Sequence, residues 1–250
     1  MSRLEWDKAG KHYYEAGVKN GVLYRKSATT TATSLGYAYT AYPWNGLVNV
    51  DESPEGADEN AFYADDMKYL SLYSAEEYGF SIESYGYPKE FRACNGMEVL
   101  TYGAFGQQSR ENFCFSYRTQ IGNDDMAEAG FKIHVIFNCH AEPTGTDHAT
   151  IDDNVDAVTA SFDCSTTPIT FKFNNISYTT CNMEFKVPYT AAGKMYDSPT
   201  GMPNNDGLTS YEWAALRAII WSDGADTPND ISPEALLTAV NTASAPTSAA

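Results

Sequence analysis

The chain has 250 residues, with 16 basic and 33 acidic side chains and a formal net charge of −17. A chain this acidic is not expected to bind nucleic acid, because phosphate binding needs lysine and arginine to displace counterions. No apolar run reaches the roughly 18 residues that span a bilayer, and the first residues, MSRLEWDKAGKH, lack the apolar segment of a secretion signal. We therefore expect no membrane insertion, and synthesis and folding in a cytoplasm.

The cysteines are odd in number and irregularly spaced, and no CxxC motif occurs among them. This pattern supports neither a zinc site nor a redox motif. Because disulfides are rare in a reducing compartment, we expect buried free thiols. The five cysteines are Cys94, Cys114, Cys139, Cys164 and Cys181.

The first quarter of the chain mixes strand patterns with polar segments. Residues Tyr13 to Tyr24 predict a first strand, or a hairpin around the Asn20-Gly21 turn. Arg25 to Pro43 has no helical periodicity and is either an extended hairpin or a mobile loop. Trp44 to Val50 predicts a strand, and Asp51 to Asp66 a long acidic loop with seven carboxylates and no base.

The next segment continues in short elements. Lys68 to Tyr73 and Glu77 to Tyr87 are predicted strands. Pro88 to Ala93 predicts a short helix that ends at Asn95-Gly96, and Met97 to Tyr102 returns as a strand.

The clearest strands lie between Phe105 and Pro143. One alternates Phe113, Phe115 and Tyr117 with polar or small residues, and the other runs from Phe131 to Asn138 with apolar residues at odd positions. A period of two marks a strand with one face against a core. The connection Ile121 to Gly130 carries several acids, so we predict an antiparallel pair joined by a solvated loop.

The last third changes from strands to helices. Predicted strands cover Val155 to Cys164, Ile169 to Phe173 and Met183 to Val187. Leu208 to Trp221 predicts a helix that is apolar nearly all round, and Ser232 begins a second, short helix. The fold class is therefore mainly β, with antiparallel strands and a few flanking helices. One domain is expected over residues 1–230, followed over 231–250 by the short helix and a disordered Ala/Ser/Thr/Pro tail.

No residue pattern predicts an enzyme, a cofactor or a metal site. Glu83 and Asp163 lie on predicted strands and are the best candidates for a glycosidase pair, but most acids sit in polar loops where they stay ionised. His134, His140 and His148 lack the spacing of metal ligands, and Asp152-Asp153-Asn154 lacks the rest of a calcium loop. We therefore predict no catalytic, cofactor-binding or metal-binding residues.

Eighteen tyrosines suggest contact surfaces, since tyrosine is enriched at interfaces. The strongest candidates for a subunit contact form one tract, and the alternative is that the same aromatics cover the domain's own core. The tract consists of Tyr37, Tyr39, Tyr42 and Trp44.

Several stretches together resemble the major tail proteins, or tail tube proteins, of long-tailed (siphovirus-type) bacteriophages of Gram-positive hosts. The resemblance covers about the first 165 residues and lies in the order and spacing of the stretches. They are LEWDKAGKHYYEAGVKNGVLY (Leu4 to Tyr24), Trp44 to Leu72, SIESYGYPKEF (Ser81 to Phe91), FGQQSR, FSYRTQIGND, GFKIH, and AEP at Ala141 to Pro143.

The resemblance implies a fold of two packed antiparallel β-sheets in a sandwich or barrel, with a few flanking helices. It also implies a structural virion protein that assembles into hexameric rings, which stack into a helical tube. Implied partners are other copies of the chain, a tape-measure protein, and tail terminator and distal tail proteins. Double-stranded DNA would pass through without specific binding, and the tail would assemble in the cytoplasm of the host bacterium. The alternative is a monomeric carbohydrate-binding β-sandwich on a virion or cell surface.

Two sets of residues are candidates for these roles. By analogy with the family, ring stacking is assigned to Val50 to Asp66, with Arg25 to Pro43 second. Within Val50 to Asp66, the candidate stacking residues are Asp51, Glu52, Ser53, Pro54, Glu55, Asp58, Glu59, Phe62 and Tyr63. Acidic candidates for the lumen or for loops are Glu83, Asp124, Asp125, Asp152 and Asp153.

Overall fold

The computed structural model of the chain describes residues 10, 12–26, 39–74, 76–145, 158–173 and 176–188. These residues form strands and one short helix, so the mainly β fold with antiparallel sheets is confirmed. In chain order the elements are β1 Tyr14–Lys26, β2 Tyr39–Trp44, β3 Leu47–Gly56, β4 Glu59–Ala64, β5 Met67–Tyr73, β6 Glu76–Ser84, α1 Phe91–Cys94, β7 Glu98–Leu100, β8 Gly103–Phe105, β9 Phe113–Gly122, β10 Gly130–Ala141, β11 Ala160–Thr166, β12 Ile169–Phe173, β13 Ile176–Thr180 and β14 Asn182–Pro188.

The largest sheet has eight strands in the order β2-β1-β9-β10-β11-β6-β3, with β14 also paired to β10. The first half of β10 pairs with β14 and its last residues pair with β11. The register shifts between Ile136 and Cys139, where Asn138 has a φ of 47°. Such a bulge bends a strand and increases its twist. The sheet folds over, and the Tyr117 hydroxyl on β9 donates a hydrogen bond of 2.6 Å to Glu52 on the distant strand β3.

An aromatic cluster fills the space inside the folded sheet. Trp44 is 1% exposed, and its ring centroid lies 4.6 Å from that of Phe91 and 5.5 Å from that of Phe115. The indole N–H donates to the Ser84 hydroxyl at 3.2 Å and to the Gly86 carbonyl at 3.0 Å. Aromatic pairs in tilted or edge-to-face arrangements add to the free energy that burial contributes. Trp44 therefore ties β2 to α1, to β9 and to the end of β6.

Replacing Trp44 by alanine is expected to destabilise the monomer by about 3–5 kcal/mol, the usual cost of removing a large buried aromatic side chain. Trp44→Phe keeps most of the ring volume and loses the two hydrogen bonds, so its cost should be smaller. Urea unfolding of the three proteins at one low concentration measures the difference. Equal stability of the alanine variant and the wild type would contradict this account of the core.

The central strands are buried on both faces, whereas the sequence predicted one buried face. Phe115, Tyr117 and Ile136 face the aromatic cluster. The opposite face is also at most 6% exposed at Val22, Tyr24, Phe131, Ile133, Val135 and Phe137. The expectation failed because polar residues on β10, such as His134, suggested a solvated face. His134 is instead buried among polar partners that satisfy part of its hydrogen bonding.

The acidic segment Asp51 to Asp66 is mostly strand and not the predicted loop. Asp51–Gly56 continues β3 and pairs with Glu76–Ser81 of β6, and Glu59–Ala64 forms β4 and pairs with β5. These positions are largely exposed. The carboxylates therefore stay in solvent while the backbone forms hydrogen bonds between strands. The polarity of the segment indicated that its side chains are exposed, and it did not mean that a strand was absent.

The N-terminal pattern forms one continuous strand and not a hairpin. Gly17 and Asn20 have φ values of 72° and 55°, and the pairing of β1 with β9 shifts register around them. The Asn-Gly pair therefore marks an irregularity within β1. Antiparallel pairing of Lys26 with Tyr39 supports the extended-hairpin alternative for Arg25 to Pro43 at its two described ends.

The other short elements agree with the sequence except for two strands, of which the first is β8, a strand that the sequence did not predict. The predicted helix after Pro88 is α1, which ends at Asn95 and Gly96, where Gly96 has a φ of 72°. Predicted strands near Met97, Ile169 and Met183 correspond to β7, β12 and β14. β13 was not predicted, and it pairs with β12 in a separate two-stranded sheet.

All five cysteines are free, and all but the half-buried Cys181 are buried, which confirms the prediction of buried thiols. Burial raises the pKa of Cys94 to about 12 and raises the pKa of Cys139 well above its ordinary value. Because of these raised pKa values, Cys94 and Cys139 are protonated at neutral pH. The thiolate is the reactive form of cysteine, so both groups are expected to be unreactive.

We expect native protein at pH 7–8 to react with a thiol reagent such as DTNB at no more than about one thiol, that of Cys181, because burial keeps the other thiols protonated. All five should react in denaturant. Fast native labelling of Cys94 or Cys139, located by mass spectrometry, would contradict the burial of these side chains.

Several predicted features lie outside the described residues. They are Tyr37, His148, Asp152, Asp153, the helix Leu208 to Trp221, and the division between residues 1–230 and 231–250. Where the structure describes the chain, it contains no helix long and apolar enough to cross a bilayer.

Candidate functional site

One face of the β3–β6–β11 part of the sheet is polar and acidic. Side chains alternate along these strands, so Phe80, Ile82 and Phe162 are buried while their neighbours in sequence face outward. Cross-strand rows place Asp51, Ser81 and Asp163 side by side. We call this surface the anionic face, and it comprises Asn49, Asp51, Ser53, Glu55, Glu77, Ser81, Glu83, Ser161, Asp163 and Ser165.

A surface cleft of about 800 Å³ lies over the anionic face. Its walls include Glu76, Glu142 and several members of the anionic face, and none of the described residues that line it is a lysine, an arginine or a histidine. Asp51, Glu55, Glu77 and Asp163 are exposed. The clustered carboxylates give the cleft a concentrated negative charge.

A β-hairpin projects beyond the sheet at the far end of β3 and β6. We call β4 and β5, with the turn at Asp65 and Asp66, the arm. The turn residues have φ values of 51° and 60°, which match the type I′ turns that close two-residue hairpins. Every residue of β4 is exposed, and β5 is exposed except for a half-buried Ser71.

The arm exposes a stripe of apolar side chains. The pairing places Phe62 opposite Leu70 and Asn60 opposite Leu72, so these side chains share one face. Phe62, Leu70 and Leu72 are 49%, 39% and 58% exposed. An isolated two-stranded hairpin is marginally stable in water, and a contiguous exposed apolar patch marks an interaction surface. The arm therefore has the form of an assembly element.

Polar contacts hold the arm in shape on its other side. The Ser74 N–H donates to the Asp58 carbonyl at 3.1 Å, and the Asp58 N–H donates to the Ser74 hydroxyl at 2.9 Å. Lys68 and Ser71 both donate to the Glu59 carboxylate, and these hydrogen bonds lower the pKa of Glu59. The base of the arm is thus fixed, while its apolar stripe remains open.

A polar cluster lies inside the folded sheet, around His134. His134 is 5% exposed and stacks on Tyr117 with ring centroids 4.5 Å apart. Glu52 from β3 and Glu184 from β14 approach it, and one possible ligand atom from each of the three residues lies within 4.8 Å of the others. The sequence pattern did not indicate this group, because its members come from distant strands and Glu52 was assigned to a loop.

Glu15 and Lys132 form an ion pair at the edge of this cluster. The Lys132 ammonium lies 2.6 Å from Glu15. Burial opposes ionisation of Glu15, but hydrogen bonds from Lys132 and Thr119 hold its pKa below the usual value. A lowered folded pKa means that the pair contributes stability above the unfolded pKa of Glu15. That contribution is lost as the pH falls through the folded pKa.

The predicted stacking residues separate into four places. Asp51, Ser53 and Glu55 belong to the anionic face, and Glu52 turns inward and is half-buried. Pro54 is exposed at the end of β3. Asp58, Glu59, Phe62 and Tyr63 belong to the arm or its base.

The other predicted site residues are more scattered. Trp44 lies in the core, as expected if the aromatic tract covers the domain's own core and does not form a subunit contact. Tyr42, on β2, is half-buried against the core. Glu83 is half-buried on the anionic face. Asp124 accepts hydrogen bonds from the Gly10 N–H at 2.9 Å and contacts His12, and the Gly10 bond lowers the pKa of Asp124. Asp125 is exposed in the same loop.

The described candidates for other chemistry are Glu83, Asp163 and His140. Asp163 and Glu83 lie on one face of adjacent strands, and Asp163 is exposed to solvent, whereas a general acid needs a desolvated carboxyl group. His140 is exposed and its Nδ1 lies 3.3 Å from the Asn112 side-chain oxygen.

No known protein family and no curated protein matches the sequence. Among solved structures, the chain is similar to a chain of the sheath/tube terminator of an extracellular contractile injection system (PVC) in the extended state. The TM-score is 0.31 and the identity 8%, over 72% of this chain and 100% of that chain. It is also similar to a chain of the sheath–tube complex of such a system, with a TM-score of 0.29 and 10% identity over 65% of this chain and 88% of that chain.

Proposed function

We propose that this chain is a structural subunit of a phage tail tube, in which hexameric rings stack around a bore that conducts DNA. The observation that carries the proposal is the arm, whose apolar stripe has no cover within the described part of the chain. The order of sequence stretches that resembles major tail proteins points in the same direction. A chain with a rigid β body and an exposed apolar arm is suited to repeated assembly with its own copies.

The arm supplies the contact between rings in this proposal. A head-to-tail interface generates a ring if its rotation closes and a helical filament if it does not. Phe62, Leu70 and Leu72 are partly exposed and would be buried against the next ring. β2 and β3 are at the two ends of the main strand order, so ring closure is assigned to contacts near them, including Tyr39 and Tyr42 of β2.

The anionic face is the proposed wall of the bore. Negative charge without nearby bases repels the DNA duplex at every sequence, so a duplex in transit meets no deep binding site. Salt screens this repulsion beyond about 10 Å, so only side chains that face the bore contribute. The cleft over Asp51 and Asp163 supplies such side chains on strands that hold them in fixed rows.

The partners follow from the same assignment. A tube of this kind encloses a tape-measure protein, ends in terminator and distal tail proteins, and belongs to a virion assembled in the cytoplasm of the host bacterium. Its wall binds neither cofactor nor substrate, so we assign the chain no enzymatic activity.

Size-exclusion chromatography and negative-stain electron microscopy of the purified protein test the proposal. We expect hexameric rings or tubes with a central bore at high protein concentration. A protein that stays monomeric up to millimolar concentration and binds polysaccharide would instead be the carbohydrate-binding module. Tubes lined by lysine and arginine would contradict the conduit role.

A further inference from the structure

His134 is held in one orientation in the middle of the folded sheet. Its ring is parallel to that of Tyr117, with an interplanar angle of 3° and a centroid distance of 4.5 Å. Its side chain is 7% exposed. The two ring nitrogens therefore have fixed and different surroundings.

The Nε2 side of the ring has hydrogen-bond partners. Nε2 lies 3.0 Å from the Thr119 hydroxyl and 3.2 Å from Glu15 Oε1, and Thr119 also donates to Glu15. Because Glu15 only accepts and the Thr119 proton is used, Nε2 carries a proton and donates it to these oxygens. In a neutral imidazole, the lone pair is then on Nδ1.

The Nδ1 side has no such partner. Nδ1 is buried and makes no hydrogen bond among the described residues. It faces Glu184 Oε1 at 3.5 Å and Glu52 Oε1 at 3.8 Å. A lone pair opposite two carboxylates is unfavourable in a desolvated place, so the arrangement calls for a positive charge between the three groups.

We propose that Glu52, His134 and Glu184 bind a divalent transition-metal ion, with Zn²⁺ as the best match. Zinc bonds to nitrogen and oxygen at about 2.0–2.2 Å in a tetrahedron, which places its ligand atoms about 3.4 Å apart. The distances from Nδ1 are 3.5 and 3.8 Å, and the three ligand atoms lie within 4.8 Å of one another. A small closure of the two glutamates would complete the three-ligand set and leave a fourth position for water.

Outer contacts already orient each ligand as metal sites require. The Tyr117 hydroxyl donates to Glu52 at 2.6 Å, and Lys132 lies 3.3 Å from Glu184. Glu15 holds the far nitrogen of His134, the arrangement in which a carboxylate orients a histidine ligand. Three carboxylates face one ammonium in this cluster, so a divalent ion would bring its charge to balance.

The ligand types select the metal. Mg²⁺ and Ca²⁺ prefer all-oxygen sites, whereas an imidazole nitrogen with carboxylates suits zinc and its neighbours in the first transition row. The ion would join β3, at the base of the arm, to β10 and β14 across the fold. It would thereby hold β3 against β10 and β14 in one chain, whether or not the chain forms tubes.

The test uses untagged full-length protein, stripped with chelator and kept at a concentration where it is monomeric. Calorimetry with ZnCl₂ should give one ion per chain. At a free concentration 100 times Kd, zinc should raise Tm by about 5–10 °C, while MgCl₂ and CaCl₂ should not. Substitution by Co²⁺ should give the visible absorption bands of a low-coordinate nitrogen–oxygen site.

Two variants and a matched control locate the site. His134→Gln and Glu184→Gln should lose the single zinc event and the rise in Tm, whereas His140→Gln, on the exposed end of the same strand, should keep both. Glu184 is exposed, so Glu184→Gln is expected to fold, which circular dichroism would verify. If His134→Gln does not fold, the zinc response of Glu184→Gln alone tests the proposal. Equal zinc responses of wild type and Glu184→Gln would overturn the proposal. So would a wild-type Tm that does not change when zinc is added.

Discussion

Removing the arm is expected to abolish tube formation and to leave folded monomers or single rings. The change replaces residues 57–75 by Asn-Gly, which joins Gly56 to Glu76 at the last pair of β3 and β6 through a two-residue hairpin turn. The arm contributes no side chain to the buried core, so the stability of the body should change little. Electron microscopy should show no tubes, and size-exclusion chromatography should show monomers or single rings.

A milder change tests the apolar stripe itself. Phe62→Ser with Leu72→Ser keeps the hairpin backbone and should raise the concentration needed for tubes by at least about tenfold, because each partly buried apolar side chain contributes about 1–2 kcal/mol to a contact. Tyr102→Ser is the matched control, since Tyr102 is fully exposed at the tip of the β7–β8 hairpin and should leave assembly unchanged. Long tubes from the shortened protein would exclude the arm as the stacking element.

The period-two pattern predicted the central strands well, because backbone pairing there follows side-chain alternation. β9 and β10 are antiparallel partners joined by a loop with Asp124 and Asp125, as expected. The pattern could not predict the bulge at Asn138 or the burial of both faces. Those features depend on how β10 changes partner from β14 to β11, which is a tertiary property.

The acidic segment shows why the site was predicted only in part. The exposure of the segment was predicted correctly from its carboxylates. The assignment of the segment to ring stacking remains a prediction. Its strands were missed because solvated edge strands and free hairpins tolerate acids that a buried strand excludes. The same error hid Glu52, which lies on β3 between the exposed Asp51 and Ser53 and therefore points inward to Tyr117 and His134.

β3 consequently serves two surfaces at once. Its outward residues, Asp51, Ser53 and Glu55, belong to the anionic face, and its inward residue Glu52 belongs to the His134 cluster. Beyond Gly56 the chain continues into the arm. A substitution that distorts the backbone of β3 would therefore affect both the proposed ring contacts and the proposed wall of the bore. Substitutions of single outward-facing side chains are better tests of the role of charge in DNA passage.

Lysines on the anionic face are expected to slow DNA ejection and leave tube assembly intact. The change is Asp51→Lys with Asp163→Lys, two exposed positions in one cross-strand row beside Ser81. Each ring of the proposed hexamer then offers new phosphate contacts to the duplex. A single contact worth about 1.4 kcal/mol slows passage about tenfold. Ejection is measured as DNA release from virions whose tails carry the variant, after triggering with receptor.

Asp51→Asn with Asp163→Asn is the matched control, because it removes the same carboxylates without adding a base. We expect a graded order, with the lysine variant slowest and the asparagine variant close to the wild type. Raising the salt concentration should shorten the delay of the lysine variant most, since counterions compete for the phosphates. Tubes of normal appearance combined with wild-type ejection rates in the lysine variant would show that the anionic face does not line the path of the DNA.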